Sequence, residues 1–137
     1  MEEVEVTLTG INTRLRHLQL SDADFILQLV NTPGWLEFIG NKAVFTHEDA
    51  KLYLATGPLI SYLMQGFGLY CVEDLSGKAL GLCGLLRREG LTHADLGFAF
   101  LPEHTGMGYA TEAAQLVLAH WFKKNETLEI IDAITLP

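Results

Sequence analysis

DLGFAFLPEHTGMGYATEAA, residues 95–114, reads as a strand, a glycine-bearing loop and the start of a helix. Leu96, Phe98 and Phe100 alternate with Asp95, Gly97 and Ala99, so one strand face is bulky and the other small apart from one carboxylate. The bulky face can bury against the helix that follows. Pro102 ends the strand, and the helix is expected to start around Met107 to Ala110. Gly106 and Gly108 remove side chains from the approach to that helix start. A helix start presents about four unpaired N–H groups and a partial positive charge, which together suit a phosphate. A tight turn after a strand would use the same glycines, and both uses stay open on these residues alone.

Working outward, Ala110, Ala113, Ala114, Val117, Leu118, Trp121 and Phe122 recur three and four apart and make the apolar face of the helix. Lys123 and Lys124 suit its C-terminus, and Asn125 is a plausible stop. Leu128 to Leu136 is apolar enough to be a largely buried strand. Upstream, Leu69 to Leu75 and Ala79 to Arg88 flank Ser76-Gly77 and predict a β-hairpin. Thr46 is an N-cap for a helix carrying Leu52, Leu54, Leu59, Ile60, Leu63 and Met64, which Gly57-Pro58 interrupts or kinks. Ser21 to Asp24 opens an earlier helix that Pro33-Gly34 ends. Val4 to Leu8 and Leu15 to Leu20 alternate as strands, and Trp35 to Gly40 reads as a short turn of helix or a loop. The order predicts a mixed α/β fold over residues 1–137 as one domain. Its sheet is mostly antiparallel, and a strand–loop–helix–strand crossover makes one parallel pair.

Composition narrows the function. A net charge of −8 argues against a nucleic-acid partner, which would need a basic face, and favours cationic ones. MEEVEV has no basic or apolar leader region, and no run is long enough to span a bilayer, so no membrane association and a cytoplasmic location are expected. The five histidines show no ligand spacing with each other or with cysteine, so no metal site is proposed. Cys71 and Cys83 flank the hairpin turn. A three-residue loop would set them opposite each other and a two-residue loop on opposite faces; two reduced core thiols are expected. A dinucleotide loop would need a third glycine where Thr111 stands, and no Gly-Lys-Ser/Thr tripeptide supports a Walker loop.

The segment DLGFAFLPEHTGMGYATEAA resembles the acetyl-CoA-binding strand–loop–helix of the GNAT N-acetyltransferases. Their pattern, Gln/Arg-x-x-Gly-x-Gly/Ala, is matched by Thr105-x-x-Gly108-x-Ala110, with Thr105 in place of Gln/Arg. The GYATEA wording is similar to the branch that holds the ribosomal-protein N-terminal alanine acetyltransferases. TRLRHLQLSDADFILQLVN, TPGWLEFIG, GFGLYCVEDLSGKALGLCGLLRR and IDAITLP extend the resemblance over nearly the whole chain. It implies helices on both sheet faces and a pyrophosphate loop of backbone N–H groups from Gly106, Met107, Gly108, Tyr109 and Ala110. Thr105 and Thr111 flank that loop, and the pantetheine arm would run beside Phe98, Ala99, Phe100 and Leu101. Relatives continue with an Asn-x-x-Ser helix and closing strands. The sequence to Pro137 lacks them, so the resemblance implies a C-terminally truncated domain.

The implied reaction is attack of a neutral primary amine, from a protein N-terminus or a small molecule, on the acetyl thioester of acetyl-CoA. It needs a proton acceptor and N–H donors for the developing oxyanion. Asp95 sits where similar enzymes often carry a Glu or Asp and is the candidate base; a strand-edge carboxylate paired with a cation is the alternative. Trp35 and Phe38 are candidates for the acceptor pocket, with simple packing as the alternative. Tyr70 and Arg87 are weaker substrate contacts, and helix-dipole stabilisation alone would explain Glu112. The competing reading is a truncated, non-catalytic acyl-CoA-binding or interaction domain. The apolar edge of Leu128 to Leu136 leads to an expected homodimer that covers it, or else a disordered last strand.

Overall fold

A computed structural model of the protein describes residues 7–32, 44–86, 95–105, 108–124 and 132–134. Among these residues, β1 (Thr7–Thr9), β2 (Thr13–His17), β3 (Leu69–Asp74), β4 (Ala79–Leu86), β5 (Asp95–Phe100) and β6 (Asp132–Ile134) form one sheet in chain order. β1 to β5 pair antiparallel with their neighbours, and β6 pairs parallel to β5. Between β2 and β3 lie α1 (Ala23–Val30), α2 (His47–Thr56) and α3 (Pro58–Gln65), while α4 (Tyr109–Lys124) forms the crossover from β5 to β6. The mixed, mostly antiparallel architecture expected from the sequence is the one observed.

The strands' two-residue period sorts the core into two layers. Cys71, Leu82 and Ala99 bury with Ala23, Ile26, Leu29, Ala50 and Leu54 of α1 and α2 on one face. Leu15, Val72, Cys83, Leu85 and Leu96 bury with Ala113 and Val117 of α4 on the other. Phe98 and Phe100 join the α4 side and Ala99 the opposite side, as the alternation along β5 requires.

Three local expectations are corrected. The strand expected over Leu15 to Leu20 is β2 and stops at His17. The next rung after His17 opposite Tyr70 would pair Leu18 with Leu69. The Tyr62 hydroxyl takes that place: it accepts the Leu18 N–H at 2.9 Å and donates to the Leu69 carbonyl at 2.5 Å. The Tyr62 ring stacks on His17 with centroids 4.0 Å apart. Second, Thr46 caps α2 as expected, its hydroxyl accepting the Asp49 N–H at 3.1 Å, but of the six apolar residues named for this segment only Leu54 is buried. Leu52, Ile60, Leu63 and Met64 are exposed, while Ala50, Leu54, Pro58 and Tyr62 face inward. The break at Gly57-Pro58 divides the segment into two helices, and the inward residues stay four apart across it.

Third, the turn between the hairpin strands occupies residues 75–78, and neither short loop considered from sequence occurs. The Asp74 carboxylate accepts the Ser76 and Lys78 N–H groups at 2.9 and 3.0 Å. A bulge pairs Val72 with Gly81 and Glu73 with Ala79, which shifts the register. Cys71 then pairs with Leu82 and Cys83 with Tyr70, so the cysteines fall on opposite faces. Both are free and buried, and burial pushes both thiols up to about 12. They are core thiols.

On the α1 side of β2, Arg16 grips Asp22 through two bonds of 2.9 Å and reaches Glu73 at 2.9 Å, while Arg14 also binds Glu73. The hydrogen bonds it donates to Asp22 hold the Arg16 guanidinium above its already high ordinary value. This pairing lets Glu73 sit buried in the sheet.

Candidate active site

The candidate site begins where β5 ends. Phe98 and Phe100 are half-buried, and Ala99 and Leu101 are buried. Between described strands, β6 pairs only with Asp95, Leu96 and Gly97, so the Phe98–Phe100 stretch lies beyond those rungs. A 3-10 turn over Pro102–His104 follows. The Thr105 N–H and hydroxyl both donate to the Pro102 carbonyl, at 3.3 and 2.9 Å, which closes the turn. The His104 ring meets Tyr109 edge-on, and its Nε2 is buried without a partner among the described residues.

Gly108 sits at the helix start with φ +81°, a left-handed conformation that L side chains rarely adopt. Among the described residues beyond its chain neighbours, a Cβ placed there would meet nothing within 4 Å, so they leave this side of the backbone open. The Glu112 N–H donates to the Gly108 carbonyl at 3.1 Å as the first helical bond. The amides of Tyr109, Ala110 and Thr111 precede it, so the helix supplies them no acceptor. Three forward-pointing amides, a helix of 16 residues behind them and an open glycine suit a bound anion such as a diphosphate.

Glu112 does more than complement the dipole. Its carboxylate accepts the Asn12 N–H at 3.2 and 3.1 Å and the hydroxyl of fully buried Thr13, so it joins the first turn of α4 to the β1–β2 turn. Gly10 in that turn passes so close that a Cβ would stand 2.7 Å from the Glu112 Oε2. Neither this contact nor the lone His104 nitrogen has a signal in linear spacing.

The remaining candidates are placed less fully. The Asp95 backbone opens β5, on one rung with Leu86 of β4 and Asp132 of β6. The shared rung with Asp132 was also missed, because no motif links the two positions. Gly106, Met107, Trp35, Phe38 and Arg87 lie outside the described residues, as does most of the strand expected over Leu128 to Leu136. Tyr70 is fully buried and stacked with Tyr62, away from any exposed surface. An apolar cavity of about 430 Å³ lies between α2, α3 and Leu69, and none of its lining residues belongs to the β5–α4 segment. Among the described residues, no group of three metal-ligating side chains occurs and no helix is long and apolar enough to cross a membrane.

Residues 12–136 match the family model of the acetyltransferase (GNAT) domain, and the chain belongs to that family of acyltransferases. Its fold is similar to the crystal structure of a GNAT-family acetyltransferase from Bacillus anthracis. That similarity has a TM-score of 0.74 and 22% identity, and covers 93% of this chain and 72% of that one. It is also similar to RimL, a ribosomal L7/L12 alpha-N-protein acetyltransferase solved with coenzyme A. There the TM-score is 0.74 at 16% identity, with 88% of this chain and 70% of that one covered. The uncharacterized protein YkkB of Bacillus subtilis (strain 168) is 36% identical over 64 residues. That match takes in 44% of this chain and spans 37% of the length of YkkB.

Proposed function

We propose that residues 1–137 act as one GNAT-like domain that binds acetyl-CoA and transfers its acetyl group to a primary amine. The observation that carries this reading is Gly108, left-handed and open at the start of α4. Coenzyme A bound to RimL, which shares the fold, supports the same ligand here. The amides of Gly106 to Ala110 hold the diphosphate, with Thr105 and Thr111 at its margins. The Phe98–Leu101 backbone, beyond the described β6 rungs, pairs with the pantetheine arm.

The amine attacks the thioester carbon in its neutral form, so a proton must leave it. Asp95 takes that proton through a water as the C–N bond forms, and backbone N–H groups steady the oxyanion until the C–S bond breaks. CoA then leaves as its thiolate, which takes a proton from water. Trp35 and Phe38 line the acceptor side. A net charge of −8 favours approach of a cationic amine, on a protein N-terminus or a small molecule, in the cytoplasm.

The test is calorimetry with CoA, followed by thiol release from acetyl-CoA with a panel of primary amines that includes N-terminal peptides. Binding with amine-dependent thiol release is expected. Binding without release to any amine would favour the non-catalytic acyl-CoA-binding module, and absence of CoA binding would overturn the reading altogether.

A further inference from the structure

We infer that Glu112 is a positioning residue for the CoA-binding helix start, acting through the β1–β2 turn; the inference rests on the proposed function. An anion site made of backbone amides works only if those amides keep one direction, and the first turn of a helix is the part that frays most readily. Among the described residues, the connection from β5 holds a 3-10 turn closed on itself at Pro102 and touches the start of α4 through the His104 ring on Tyr109. Glu112 supplies the anchor. It stands four residues beyond Gly108 at the close of the first turn, with both carboxylate oxygens committed to Asn12 and Thr13.

The anchor point is rigid for identifiable reasons. Thr13 is fully buried and begins β2, which is paired on both sides by β1 and β3. The Gly10 N–H closes the turn on the Thr13 carbonyl at 2.8 Å. Gly10 also lets the turn approach to a separation where any Cβ would crowd Glu112 and stand 3.0 Å from Leu116 Cδ1. The arrangement also handles charge. A carboxylate within a turn of an anion site would repel the anion, but here its oxygens are taken up by an N–H and an O–H donor on the turn.

Glu112→Ala should raise the Kd for CoA about tenfold, the loss expected when charge-assisted hydrogen bonds disappear. Glu112→Gln can keep both contacts, because the Thr13 hydroxyl can turn to accept from the amide, and should recover most of the affinity. The KM for acetyl-CoA should rise in Glu112→Ala while kcat at saturation stays close to wild type. Val30→Ala, which opens the buried core beside α1, is the control for lost stability and should leave the Kd unchanged. Hydrogen exchange without ligand should speed up at the amides of Glu112 to Ala114 in Glu112→Ala. CoA binding by Glu112→Ala equal to wild type would overturn the inference, as would equal weakening by Val30→Ala. If the wild type binds no CoA, the proposed function fails instead, and the exchange rates alone then decide whether Glu112 holds the helix start.

Discussion

Replacing Gly108 with valine separates the cost of backbone strain from the loss of a ligand. A side chain at φ +81° in the left-handed region costs roughly 1–2 kcal/mol. Among the described residues beyond its chain neighbours, nothing lies within 4 Å of the new Cβ, so they add no steric term. For 137 residues the unfolding entropy is about 0.3 kcal/mol/K, which turns the strain into a Tm lower by about 3–7 °C. CoA at about a hundred times its Kd should stabilise the wild type by roughly 2.7 kcal/mol, or about 9 °C. In Gly108→Val that gain should vanish, because the branched side chain fills the space the diphosphate needs. Gly66→Val is the matched control. Gly66 has φ +79° and equally open surroundings, but it caps the C-terminus of α3. It should lose similar stability and keep the full CoA shift. The assay is a thermal melt with and without CoA, repeated by calorimetry. A CoA shift in Gly108→Val as large as in wild type would refute the placement of the anion, whatever the loss of basal stability.

Tyr62→Phe should lower stability by about 2–4 kcal/mol in urea unfolding, because the Leu18 N–H and Leu69 carbonyl would both lose their buried partner; a loss under 0.5 kcal/mol would contradict that role. Asp95→Asn should slow turnover most near neutral pH, where the amine is mostly protonated, and less at high pH; an unchanged pH–rate profile would remove Asp95 as the base. The N–H groups of Phe45 and Thr46 hold the Asp49 carboxyl below its ordinary 3.8, so its contribution is complete above that value and is lost as pH falls through the depressed one. Asp49→Asn should therefore narrow the gap in urea midpoint between pH 7 and pH 3, and an unaltered gap would speak against the cap.

The sequence showed those parts of the fold that depend on local pattern. Alternation along Asp95–Phe100 placed both of its faces, and Thr46 marked the start of α2 because a cap acts within one turn. What stayed hidden depends on partners distant in the chain. The end of β2 is set by a tyrosine on α3, 44 residues from Leu18, and the relation of the two cysteines by a bulge at Leu80 that no turn residue announces. At the candidate site, the special backbone of Gly108 was legible because a glycine's backbone role is local. The anchoring partners of Glu112 were not, since a glutamate in the first turn of a helix already has a sufficient local explanation.

The same anchor bears on the order in which the molecule comes together. Consecutive strands are neighbours in the sheet, so most of it can be built by joining each new strand to the one before. The contact of Glu112 with Asn12 and Thr13 closes a loop of about a hundred residues and gains nothing until both ends are present. During synthesis, the turn at Gly10–Thr13 emerges about 5–20 s before its partner. The earliest hairpin therefore gains its contact with α4 only after about a hundred further residues, and the start of α4 is anchored only then. On the proposed function, CoA capture then reports that this long-range contact has closed, while pairing of β1 to β5 alone does not.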